Sequence, residues 1–99
     1  MPDALPETMR LAQGFTALAD GIEARRPDAE LSTLLQQAHG WCEQAAASER
    51  AAARRALLLN LQTALTTWQQ VWPRLSRQRD FRAAVVREAR LWAKRLADD

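Results

Sequence analysis

Apolar residues return at every third or fourth position through most of this chain, and prolines cut that pattern into lengths. Leu11, Phe15, Leu18 and Ile22 follow one another at intervals of four, three and four. That spacing places them on one face of an α-helix. Leu31, Leu34, Leu35, Ala38, Trp41, Cys42 and Ala45 trace a second stripe. Leu57, Leu58, Leu61, Ala64, Leu65, Trp68, Val71 and Trp72 trace a third, and Phe81, Val85, Ala89, Trp92 and Leu96 a fourth.

Pro2 and Pro6 lie at the start, Pro27 after "EARR" and Pro73 after "QQVW". Proline is tolerated in the first turn of a helix and breaks its interior. Pro6 suits the first position of a helix over residues 6–25, with Glu7 favoured by the dipole of its first turn. Pro27 opens a second helix over 28–47, with Asp28 and Glu30 in its first turn. Pro73 is expected to end a third helix over 49–72, and Asp80 to cap a fourth over 80–97.

No Gly or Pro separates the second stripe from the third, so the two could form one rod. Their apolar faces argue against that, because at 100° per residue the stripes differ in direction by roughly 130°. A break near 47–49 is expected, with Ser48 as N-cap and Glu49 in the first turn. Composition agrees with an all-helical chain. Alanine and leucine supply a third of the residues, and the β-branched aliphatics are only Ile22, Val71, Val85 and Val86. Straight-chain residues and alanine lose little rotamer freedom in a helix. The expected fold is all-α: one domain over 1–99, an antiparallel up-and-down bundle of four helices. Gly14, Ala17, Gly21 and Ala24 form a stripe of small residues on the first helix, which suggests close approach by another backbone.

Several function classes drop out. No apolar run reaches the roughly 18–20 residues that span a bilayer. The opening "MPDALPETMR" lacks the basic and apolar regions of a signal peptide. One cysteine, Cys42, cannot form an intrachain disulfide, so a cytosolic location is the expectation. No glycine-rich phosphate loop is present. His39, Cys42 and Glu43 are metal-ligand types that could share a face, but structural zinc takes four ligands and no second Cys or His exists. No metal or other cofactor is expected there. The carboxylates Asp20, Glu23, Asp28 and Glu30 read as solvated faces or first-turn residues, and no catalytic residue is assigned.

Charge is the informative feature. Residues 1–48 hold three basic and seven acidic side chains, and residues 73–97 hold eight basic and two acidic. Arg79, Arg87, Arg90 and Lys94 project within roughly 40° of one direction on the fourth helix. Arg74 and Arg77 extend that basic area into the preceding link. Such a face suits either phosphates or an acidic protein surface, including the acidic half of the same chain or of a neighbouring copy. Four tryptophans add apolar area, and Trp68 and Trp72, four apart, are candidates for an apolar interface, Trp72 foremost. The expectation is a non-enzymatic interaction module that homo-oligomerises or docks on a larger protein. A nucleic-acid-binding accessory protein is the alternative, and no membrane partner is expected.

Overall fold

The computed structural model describes residues 7–98. Four helices follow one another: α1 (Glu7–Glu23), α2 (Asp28–Ser48), α3 (Ala52–Leu75) and α4 (Arg79–Asp98). No strand occurs among the described residues. The fold is the expected all-α four-helix bundle. The reading of Pro6 as the first helical residue lies outside the described residues.

Each apolar stripe turns inward. Leu11, Phe15, Leu18 and Ile22 of α1 meet Leu31, Leu35, Ala38 and Cys42 of α2. Leu58, Leu61 and Leu65 of α3 and Val85, Ala89 and Leu96 of α4 complete the core. Burying a leucine or phenylalanine side chain is worth about 1.5–3 kcal/mol, and this core is the main source of stability.

Helix α1 packs closely against both α2 and α4, and α2 against α3, while the α3 and α4 backbones stay farther apart. Side-chain size explains the difference. Small residues such as Ala12, Ala19, Ala89 and Ala93 let α1 and α4 approach. Bulky rings bridge the wider spaces. Trp72 of α3 meets Phe81 of α4 with centroids 5.8 Å apart, and Trp68 of α3 meets Phe15 of α1 edge-on at 6.4 Å.

The break between α2 and α3 is real, but it lies later than expected. A rod fused from residue 28 to residue 75 would run about 70 Å, whereas the longest dimension of the molecule is 41 Å. Ser48 is the last residue of α2, not a cap of α3; its hydroxyl donates to the Gln44 carbonyl at 3.0 Å. The N-cap position of α3 is Ala51, which has no side-chain acceptor. Arginines hold the turn instead. Arg55 donates through Nε and Nη2 to the Glu49 carbonyl at 3.0 and 2.6 Å, and Arg54 pairs with the Glu49 carboxylate at 2.7 Å.

Pro73 does not end α3, which runs on to Leu75. The missing N–H removes only one late hydrogen bond, to the Gln69 carbonyl. The helix closes with the Ser76 N–H donating to the Trp72 carbonyl at 2.8 Å. Trp72, the residue that proline should push out of helical geometry, is held there by its burial at 2 % exposure. α4 begins at Arg79 rather than Asp80; Asp80 sits in the first turn, and the Gln78 carbonyl accepts the first bond, from Arg82 N–H.

Helix α1 stops at Glu23 rather than Arg25. Arg25 takes a left-handed backbone, φ 57°. Its N–H donates to the Ile22 carbonyl and that of Arg26 to the Gly21 carbonyl. These are the paired bonds of a Schellman C-terminus, with arginine where glycine is usual. The small stripe on α1 is close-packed at one point only. A Cβ on Gly21 would lie 3.0 Å from Leu31 Cδ2 and 3.2 Å from Leu34 Cδ1, whereas one on Gly14 would make ordinary contact with Ala38 at 3.6 Å. Ala17 and Ala24 are exposed.

Candidate interaction surface

The ends of the helices bring the charged residues together. Arg82, in the first turns of α4, is half-buried where α1 ends, α2 begins and the α3–α4 link passes. Its guanidinium donates to the carbonyls of Ser76 at 2.5 Å and Ile22 at 3.4 Å, and lies 3.8 Å from Asp28. It also stands over the Trp72 ring, 5.9 Å from the centroid. Asp28 accepts a further bond from the Ser76 hydroxyl at 2.9 Å. Arg82 lies at the edge of the apolar stripe of α4, and its part in the fold was not read from the sequence. The chain reversal at 76–78 supplies the Ser76 carbonyl, and the last turn of α1 supplies that of Ile22.

Arg90 also turns inward. It donates to Asp20 of α1 at 3.0 Å and to Glu23. Those hydrogen bonds, Glu23 first and then Asp20, raise the guanidinium pKa further. The basic face is therefore not uniform. Arg90 is engaged by the acidic half of its own chain, which was one of the expected outcomes for this face.

Arg74, Arg77, Arg79, Arg87 and Lys94 are exposed, and none of them forms an ion pair among the described residues. Arg74, Arg77 and Arg79 cluster where α3 gives way to α4, at one end of the bundle. Arg87 and Lys94 lie on the outward side of α4 together with Leu91, which is 52 % exposed. Leu91 was not among the residues singled out from the sequence. Its place one turn from Arg87 and three residues before Lys94 was the available signal.

The tryptophans lie elsewhere. Trp72 is 2 % exposed and enclosed by Phe81 and Arg82, so the tryptophan read as foremost for a partner is a core residue. The wide α3–α4 spacing gives its ring the room. Trp68 is half-buried against Phe15. Trp41 and Trp92 are half-buried, and each is roofed by an arginine, Arg10 at 5.0 Å and Arg95 at 5.2 Å from the ring centroid. Such cation–π contacts keep water off the ring faces.

His39, Cys42 and Glu43 do not converge. Cys42 is fully buried and its thiol donates to the Leu58 carbonyl at 3.1 Å. Burial first, and then the nearby Glu43 charge, push its pKa up to about 12. His39 turns to α3, where Nε2 lies 3.0 Å from Thr66 Oγ1, and its Nδ1 lies 3.3 Å from Glu43. Four further carboxylates of the acidic half are likewise engaged inside the chain. Asp20 and Glu23 hold Arg90, Asp28 holds Ser76 and Arg82, and Glu30 holds Arg26. No helix among the described residues is long and apolar enough to cross a membrane. The chain matches no protein-family model, no curated protein and no solved structure.

Proposed function

We propose that this chain is a non-enzymatic interaction module that docks on a larger protein through the outward side of α4. One observation carries the reading: Leu91, 52 % exposed, lies between Arg87 and Lys94, which form no ion pair among the described residues. An apolar anchor with a charged rim is the usual anatomy of a protein interface. The partner surface would be acidic, with a pocket for one aliphatic side chain. The internal pairing of Asp20, Glu23, Asp28 and Glu30 supports an outside partner over a charge-driven head-to-tail assembly of copies. A cytosolic setting belongs to this reading, with Cys42 a free thiol.

The nucleic-acid alternative rests on a different group, Arg74, Arg77 and Arg79 at the bundle end. These would contact phosphates without reading sequence. The aromatic rings give it no support, since Trp68, Trp72 and Phe81 are buried or half-buried and offer no open face for stacking bases.

Light scattering in line with size exclusion separates the two, using an acidic polypeptide such as polyglutamate and, separately, mixed DNA and RNA. Docking on protein predicts a mass shift with the acidic polypeptide that Leu91→Ser and Arg87→Ala each weaken. Phosphate binding predicts a shift with nucleic acid that falls steeply with salt. That shift would weaken on replacing Arg74, Arg77 and Arg79 by alanine, and would ignore Leu91→Ser. Association that none of these substitutions alters would overturn both.

A further inference from the structure

The outward side of α3 carries no charge between Ala56 and Pro73. From residue 56 to residue 73 the sequence contains no Asp, Glu, Lys or Arg. The positions of that stretch that face solvent include Ala56, Leu59, Asn60, Thr63, Thr67 and Gln70. The other helices present charge to water: Asp20 and Glu23 on α1, Glu30 and Glu43 on α2, Arg87 and Lys94 on α4. Depletion of charge is the compositional mark of an interface core. Ala52, Ala56, Leu59 and Thr63 also follow the four-three-four spacing of a helix-pairing seam.

Leu59 stands near the N-terminal end of this face, 49 % exposed. Beside it α2 and α3 form a shallow depression of about 460 Å³, lined by Glu43, Ala46, Ala47, Arg55, Leu59 and Gln62. Ala46, Ala47 and Leu59 form its apolar part, with an acid on the α2 side and a base on the α3 side. Glu43 keeps 56 % of its side chain exposed although it lies beside His39, and Arg55 is exposed, with its Nη1 not among the atoms that hold the Glu49 carbonyl.

That arrangement complements itself. A two-fold interface brings the same patch of both copies together, so each feature must find its opposite within the patch. An axis beside Leu59 sets the two leucines against each other and the alanines. It also sets Glu43 of each copy towards Arg55 of the other. An external acidic or basic partner would leave one of those two charges facing its like. We propose that the uncharged outward face of α3, with the depression it shares with α2, is where a second copy of this chain docks across a two-fold axis. With the axis there, α3 overlaps its copy from about residue 52 to 66, about 22 Å long and about 10 Å wide, so the two copies would bury on the order of 450 Å² in total. That is below the area of permanent dimers, so the association is reversible and depends on concentration. It is independent of the α4 surface, and either proposal can fail alone.

Sedimentation equilibrium of the full chain over a wide range of concentration tests it. The apparent mass should climb from one chain towards two. Leu59→Glu and Thr63→Arg should each hold the mass at one chain throughout, with helical circular dichroism unchanged. Leu91→Glu on α4 should climb as the wild type does. Glu43→Arg and Arg55→Glu should each weaken the association several-fold, and the two together should restore it. A wild-type chain that stays at one mass throughout would overturn the proposal. So would a climb that survives both Leu59→Glu and Thr63→Arg, or one abolished by Leu91→Glu alone.

Discussion

Arg25 holds a left-handed backbone, φ 57°, that an L side chain adopts at a cost of about 1–2 kcal/mol. The residue is exposed and forms no ion pair among the described residues, so its side chain offsets little of that cost. Arg25→Gly should therefore raise the unfolding free energy by about 1 kcal/mol in urea titration. Cys42 gives a pH-dependent test. Its thiol is raised from 9.0 to about 12 in the fold, so the folded state prefers the neutral form. The corresponding stability is fully present below pH 9.0 and is lost as pH rises towards about 12. No tyrosine is present to titrate in the same window. Stability should fall between these limits by a few kcal/mol at most. Cys42→Ala should flatten that slope while lowering stability below it. At this scale the sequence was informative for Cys42, which its stripe placed in the core. It did not give the partner of His39, read there only as a metal-ligand type beside Cys42 and Glu43. In the fold the His39 Nε2 lies 3.0 Å from Thr66 Oγ1, whose own hydroxyl donates to the Gln62 carbonyl at 2.9 Å. That partner is 27 residues away in sequence, and no local pattern could supply it.

The helices themselves were legible, because Leu11, Phe15, Leu18 and Ile22 and their counterparts at 31–45, 57–72 and 81–96 carry a period that only a helix buries on one side. Their ends were less so. Pro73 was a sound local reason to stop α3, yet the burial of Trp72 and the Ser76–Asp28 hydrogen bond hold the last turn in place. Ser48 was a sound local N-cap, yet Arg54 and Arg55 fold back on Glu49 and move the turn on by three residues. Tertiary contacts overrode local preference at both ends. The same contest decides which glycines tolerate a side chain. A Cβ on Gly40 in α2 would meet nothing within 4 Å, so Gly40→Ala should gain the helix-propensity difference of about 1 kcal/mol. Gly21→Ala has the same propensity gain but presses on Leu31 and Leu34, the former fully buried. Its thermal midpoint should fall below that of Gly40→Ala, and below the wild type if Leu31 cannot shift.

Across the whole molecule, the charge split in the sequence turned out to be partly an internal device. The acidic first half and the basic last segment meet where α1 lies against α4, and the pairs there differ in depth. Arg90 reaches exposed Asp20 and Glu23, and water and salt screen that contact. Arg82 is half-buried and satisfies two backbone carbonyls from different segments, Ser76 and Ile22, while facing Asp28. It joins the end of α1, the start of α2 and the α3–α4 link at one point. No composition count distinguishes these two arginines; the reversal of the chain at 76–78 does. The consequence is measurable. Arg82→Ala leaves the Ser76 carbonyl without its donor, the Ile22 carbonyl with only the Arg25 N–H, and Trp72 without its cover, and should lower the unfolding free energy by about 2 kcal/mol. Arg82→Lys keeps the charge but loses the planar fork that reaches both carbonyls, and should recover less than half of that loss. Arg90→Ala should leave the midpoint nearly unchanged at moderate salt, and its small effect should vanish as salt is raised. Equal losses for Arg82→Ala and Arg90→Ala, both fading with salt, would mean that simple ion pairing holds this end of the bundle.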